Sequence, residues 1–242
     1  MTTRAEFMER VRREMARTRG LFPARVAERP ADPMTAAELV RRQLAERWPQ
    51  ALERFRQEFE RLSGVFHAVA SPSEVPAVVG RIARERSARR LITWSASALG
   101  ADLGEGFRGE GLDAVAMPDD PVDEAAAREL RAINAAAEIG ITGADLAIGE
   151  TGTLVLVSGR GRPRSTSLLP EYHFAVFDRR ALVETLEQAG VMLEAWHADP
   201  ADPMSGGVIN FITGPSRTAD IELTLTRGVH GPREVHAIFV SR

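Results

Sequence analysis

The stretch GADLAIGETGTLVLVSG, residues 143–159, decides the fold. Two apolar runs, 144–148 and 154–157, flank the polar hinge Gly149-Glu150-Thr151-Gly152-Thr153. A connection this short cannot hold the helix that joins parallel strands, so the two runs pair as antiparallel neighbours. Glycine accepts positive φ and lets a ligand or another backbone come close. Glu150 therefore stands at a strand end with little bulk around it. Two readings stay open: an exposed turn carboxylate, and a functional one.

Outward from this hinge, strands and helices alternate. Toward the N-terminus, strands are expected at 65–70, 91–94 and 112–117, with helices opening at Ser71-Pro72-Ser73-Glu74, at 98–103 and at 120–138. Toward the C-terminus come a strand at 172–177, a helix capped by Asp178 and running to 188, and strands at 208–213 and 235–240. Strand followed by helix, repeated, predicts an α/β fold: a three-layer αβα arrangement around a mostly parallel, locally mixed sheet. Residues 1–62 read as an N-terminal helical extension, and residues 63–242 as the α/β domain. In the extension, Met8, Val11 and Met15 recur at helical spacing and residues 28–34 read as a linker. Thr35 and Glu38 form a capping-box pattern that opens a long helix. Its apolar stripe is Val40, Leu44, Trp48, Leu52, Phe55, Phe59 and Leu62, with Pro49 expected to kink or split it. That stripe packs either on the α/β domain or on another subunit.

The chain has 242 residues, 44% of them hydrophobic, and a formal net charge of −3. The slightly acidic balance argues against a nucleic-acid partner, which calls for a basic footprint. Cysteine is absent, which excludes disulfides, thiolate metal sites and iron–sulfur ligation by these residues. Every one of the 31 basic residues is arginine, so Schiff-base chemistry and a P-loop lysine are excluded as well. No apolar signal segment and no run near the ~20 residues of a membrane span is present, so the expectation is a cytoplasmic protein without a membrane span.

In open α/β sheets ligands bind outside the carboxyl ends of the strands, and four loops compete for that edge. The first is the hinge, with Glu150 as candidate catalytic carboxylate and Thr151, Gly152 and Thr153 beside it. The second is GRGRPRSTS, residues 159–167, where Arg160, Arg162 and Arg164 alternate with small residues. Guanidinium forks suit carboxylates and phosphates, and solvated arginines are the alternative. The third runs TGPSRTAD, residues 213–220: Gly214, Ser216, Arg217 and Asp220 form an anion nest or an ordinary turn. The fourth places His230 between turn residues, as an acid/base or ligand group or as a plain loop histidine. The spacing of the histidines suggests no metal site. Glu150, Ser216, Arg217 and Asp220 are expected to converge on one cleft.

Four segments, ADLAIGETGTLVL, RSTSLLPEYHFAVF, NFITGPSRTADIE and GVHGPREVHAIFV, occur in this order, within a resemblance that covers roughly residues 64–240. Together they resemble the LUD-domain family. The resemblance implies a fold like that of the ribose-phosphate isomerases and CoA transferases. It implies a part in oxidising L-lactate to pyruvate beside two partner proteins, one of them an iron–sulfur protein, with a small organic acid or phosphate-bearing ligand. A larger member of the family carries cysteine clusters for iron–sulfur centres; this chain has none, so electrons would reside on a partner or on another cofactor. The alternative is a stand-alone CoA-transferase-like or isomerase-like enzyme that uses Glu150 as nucleophile or base.

Overall fold

The computed structural model describes residues 3–17, 30–199, 204, 206–218 and 226–241. The chain forms two compact units, 1–31 and 32–242. The first contains α1 (Arg4–Arg17). Thr3 and Glu6 cap it reciprocally: the Glu6 N–H donates to Thr3 Oγ1 and the Thr3 N–H to Glu6 Oε2.

The second unit opens with α2 (Pro33–Arg61). Its cap is Asp32, whose carboxylate accepts from the Thr35 N–H and hydroxyl, and not Thr35 itself as its sequence pattern suggested. Pro33 fills the first turn, where no N–H is needed. The helix runs on through Pro49, which costs one backbone bond but does not divide it. The chain continues through β1 (Val65–Val69), α3 (Val75–Arg86), β2 (Arg90–Thr93), α4 (Ala96–Leu99), α5 (Gly104–Gly109), β3 (Asp113–Ala116), α6 (Glu124–Ala136) and β4 (Ile139–Gly143). Then follow β5 (Leu146–Ile148), β6 (Thr153–Ser158), α7 (Ser165–Leu168), β7 (Tyr172–Asp178), β8 (Leu182–Val183) and α8 (Leu186–Ala198). The last elements are β9 (Val208–Ile212), β10 (Arg217–Thr218), β11 (Thr226–Arg227) and β12 (Glu234–Val240).

Six strands form one parallel sheet in the order β1-β12-β7-β4-β2-β3. The β5–β6 hairpin is antiparallel, as its short hinge requires, and lies in a second sheet, β8-β5-β6-β9. One face of the parallel sheet packs Leu91, Ile141, Phe174 and Ile238 against Val75, Val79 and Ile82 of α3 and Phe107 of α5. The other face, with Ala175, Phe177, Val235 and Phe239, meets Ala147, Leu154 and Leu156 of the smaller sheet. Phe55 and Phe59 of α2 enter this same cluster and are fully buried. Burying each contributes about 2–3 kcal/mol. Earlier in α2, Ala37, Val40, Leu44 and Ala51 cover the outer face of the smaller sheet together with Ala189, Met192 and Ala195 of α8.

The stripe on α2 is therefore core of the α/β unit. The compact units divide at residue 31, although the apolar pattern suggested an extension as far as residue 62. Strand β4 sits in the middle of the parallel sheet, in the stretch between the helix expected at 120–138 and the apolar run 144–148, where the sequence reading placed no strand. Its Gly140 is required because a Cβ there would lie 1.9 Å from the Thr166 carbonyl oxygen. After β7, Asp178 accepts the Arg180 N–H, but it opens only the 3-10 turn Arg179–Ala181. Helix α8 has its own cap, Thr185, which accepts from the Gln188 N–H.

The hinge between β5 and β6 presses against α2. Gly152 has φ +60°, and a Cβ there would stand 2.4 Å from Phe59 N and 2.6 Å from the Glu58 carbonyl carbon. Both are helix backbone atoms, which cannot swing aside. Gly152→Ala is expected to cost about 1–3 kcal/mol, read as a lower thermal midpoint. An unchanged midpoint would mean that α2 gives way freely.

Candidate functional site

The order of the parallel sheet reverses at β2, with β3 on one side and β4 on the other. Such a reversal opens a crevice at the carboxyl ends of the strands. A hollow of about 460 Å³ lies at this edge. It is bounded by Gly143, Ala144 and Asp145 after β4, by Phe177 and Asp178 at the end of β7, and by Val240 of β12. Arg162, Arg41 of α2 and Arg180 bring positive charge to it.

Arg162 lines this hollow and is the most strongly held of its arginines by contacts out of water. Its Nη2 donates to the Asp145 carboxylate, and its guanidinium carbon lies 4.8 Å from the Trp94 ring centroid, a cation–π contact. The two charged side chains are 17% and 8% exposed, so their pairing takes place largely out of water. The second Asp145 oxygen accepts the Val157 N–H at 2.6 Å. Burial pushes the Asp145 carboxyl above its ordinary value, opposed by Arg162 and the Val157 N–H. Two other donor positions of Arg162 are poorly served. Nη1 reaches the Met204 sulfur at 3.0 Å, and the buried Nε–H has no acceptor. Sulfur is a weak acceptor, so the guanidinium keeps capacity for an oxyanion. The loop that carries Arg162 is pinned by Gly161: its carbonyl accepts the Ser95 N–H at 2.9 Å, and a Cβ at 161 would strike Ser95 Oγ at 2.5 Å.

The hinge lies at the opposite end of the hairpin, the length of β6 away, roughly 20 Å. There the Glu150 N–H donates to the Glu184 carbonyl, and its carboxylate accepts the Leu186 N–H at 3.2 Å, at the first turn of α8. Thr151, Thr153 and Thr213 form a hydroxyl chain, at 2.8 Å and 2.9 Å. It ties the hinge to the loop holding Gly214, whose φ of +87° brings it against the Leu62 carbonyl. Ser216 is bound elsewhere, its N–H to the Pro232 carbonyl and its Oγ to the His230 N–H. Arg160, Arg164 and His230 are exposed. Asp220 and the side chain of Arg217 lie outside the described residues. The structure thus joins Thr151 and Thr153 to the Gly214 loop, and Ser216 to His230. It separates Arg162 from Glu150.

Asp145, Arg41 and Arg180 escaped the sequence reading. The signal for Asp145 was an acid inside the apolar run ADLAI, which no half-buried strand tolerates unpaired. Nothing in the sequence places Arg41 or Arg180 beside Arg162, because α2 and the turn after β7 meet only through the packing of the sheets. A second cluster formed the same way. Parallel pairing of β1 and β12 sets His67 Nε2 3.1 Å from His236 Nδ1, and His236 Nε2 lies 3.3 Å from Glu234. Among the described residues no group of three or more His, Asp or Glu side chains could hold a metal ion, and no helix is long and apolar enough to cross a membrane.

Comparison with known proteins agrees with this architecture. A solved DUF162 family protein from Deinococcus radiodurans superposes with a TM-score of 0.53 at 22% identity, over 80% of this chain and 98% of that one. Among curated proteins, the chain is similar to the lactate utilization protein C of Halalkalibacterium halodurans, 47% identical over 96 residues, which are 40% of this chain and 41% of that protein. It is also similar to the protein of that name from Shouchella clausii, 41% identical over 104 residues, which are 43% of this chain and 44% of that protein. The one from Bacillus subtilis is 40% identical over 105 residues, 43% of each chain. The chain thus spans less than half the length of the curated relatives it matches. The profile of the LUD domain matches residues 52–240, from the second half of α2 to the end of β12, and the chain belongs to the LUD domain family.

Proposed function

We propose that this chain takes part in lactate utilization, as a subunit that binds a small organic acid in the hollow around Arg162. The observation that carries the site is the buried Arg162 Nε–H without an acceptor, on a guanidinium already oriented by Asp145 and Trp94. A carboxylate entering from the strand ends would meet a positive charge whose geometry is fixed beforehand, so little ordering cost attends binding. The names of the relatives supply the physiological context. Without cysteine this chain provides no thiolate ligand for an iron–sulfur cluster. Transfer of the electrons from lactate then falls to a partner or to another cofactor, and this subunit's own residues hold and orient the acid.

Calorimetric titration of the purified chain with L-lactate and with pyruvate tests the reading. Binding of at least one is expected, weakened tenfold or more by Arg162→Lys, because an ammonium cannot reproduce the planar fork. Absence of binding by either acid, or equal binding by the variant, would overturn the site assignment. The subunit role is tested separately, by native mass spectrometry after co-expression with neighbouring genes. Retention of a partner is the expected result, and a chain that stays alone would count against it.

A further inference from the structure

A second hollow, of about 330 Å³, adjoins the first and shares Arg41 and Arg180 with it. Leu44, Ala45, Trp48 and Leu182 line it, together with Arg179. The two hollows therefore meet at a wall of guanidinium groups, and their charges are unequally satisfied. Arg180 is held by a two-pronged contact with Asp178, at 2.9 Å from Nε and 2.6 Å from Nη2. Its charge is matched within the protein. Arg41 and Arg179 have no carboxylate partner among the described residues, although the helix surface around them pairs its arginines freely, as in Arg42–Glu38 and Arg47–Glu184. Arg41 and Arg179, both exposed, line a hollow whose remaining residues, Arg180 apart, are apolar, and Trp48 is packed on Phe239 at a centroid separation of 5.9 Å.

We infer that the second hollow is a nucleotide site. It takes a nucleoside diphosphate, with the phosphates on Arg41, Arg179 and Arg180 and the base against Trp48. Three features select this class. Guanidinium forks match phosphate oxygens in pairs. Two unmatched cations offset most of the negative charge of a nucleoside diphosphate. An indole beside aliphatic side chains stacks on a flat base and is indifferent to which base it is. Cavities of roughly 300–1,000 Å³ suit ligands of this size. The inference does not rest on the lactate reading, since Arg162 borders only the first hollow, although Arg41 and Arg180 line both.

The test is calorimetric titration of the full chain with ADP, inorganic pyrophosphate and adenosine. ADP is expected to bind most tightly, pyrophosphate more weakly, and adenosine at least tenfold more weakly than ADP. Raising the salt should weaken ADP, because the arginines stand near solvent. Arg41→Gln combined with Arg179→Gln removes two exposed side chains and should keep the thermal midpoint, while lowering ADP affinity tenfold or more. Arg162→Lys should leave ADP affinity unchanged. The inference is overturned if ADP does not bind at millimolar concentration, if adenosine binds as well as ADP, or if the double variant binds ADP like the parent. Failure of the parent chain to bind ADP while it binds lactate would remove this site and spare the acid site. The reverse result would do the opposite.

Discussion

Arg162→Ala is expected to destabilise the α/β unit by about 3–5 kcal/mol, far beyond the loss of a surface arginine. The cost comes from what is left behind. Asp145 is 8% exposed, and without Arg162 its carboxylate keeps only the Val157 N–H as a described partner. A buried carboxylate in that position must either ionise uncompensated or take up a proton at neutral pH, and both consume folding free energy. Chemical denaturation at pH 7 measures the loss. Asp145→Asn placed on the same background should restore a large part of it, because the charge that needed a partner is gone. A loss below about 1 kcal/mol for Arg162→Ala alone would show the pair to be solvated, contrary to its burial.

The second large effect is acid lability through two histidines. Burial holds His173 down at about 3 and His236 at about 4, against 6.5 for an ordinary ring. His173 is enclosed, with Nε2 2.8 Å from Thr142 Oγ1 and Nδ1 without a partner. His236 lies between Phe174, stacked at 4.3 Å, and His67, with Glu234 and Arg86 beyond. The folded chain therefore leaves both rings neutral until the pH nears 4, while the unfolded chain protonates them from pH 6.5 downward. The stability they contribute is fully present above 6.5 and drains away as the pH falls toward their folded values. At rather more than 1 kcal/mol per pH unit and ring, about 5 kcal/mol is lost by pH 4.5. The carboxylates held low by hydrogen bonds, Glu138 and Glu234, act in the same direction only at lower pH. Asp145, held high, acts in the opposite one. Denaturation midpoints at pH 7.5, 6, 5 and 4.5 should decline steadily. A flat profile over that window would mean that both rings take up their protons in the fold as they do in the unfolded chain.

Much of the fold was legible because it is written in local periodicity. The strand alternation, the three-four spacing on α2 and the short hinge at 149–152 each depend on neighbours within one or two turns of chain. What was not legible depended on distant backbone. The stretch 139–143 was read as neither helix nor strand, and its Gly140 is glycine because α7 passes directly over it. The glycines of the hinge suggested a space kept open for a ligand, and Gly152 faces the backbone of α2. Of the candidate site, Arg162 was visible from its arginine-rich loop. Its partner Asp145 was hidden as one polar letter in a strand, and Arg41 sits well over a hundred positions away in sequence. An arginine loop announces its charge, but which of its members is oriented and which are solvated is decided only by what the sheet brings alongside.

The position of β12 bears on how the protein comes into being. This strand, residues 234–240, lies between β1 and β7 and joins the two across their full hydrogen-bonding edges. During synthesis it emerges after every strand it connects. Until then β1 has no neighbour in the sheet, and β7 presents a long bare edge of the kind that templates association between chains. The chain also leaves the parallel sheet between β4 and β5, returns between β6 and β7, leaves again between β7 and β8, and returns once more before β12. Contacts of such long sequence separation make folding slow. The growing polypeptide should therefore depend on chaperone protection until its last strand is inserted, and a message cut short before residue 234 should yield aggregate rather than a smaller folded domain.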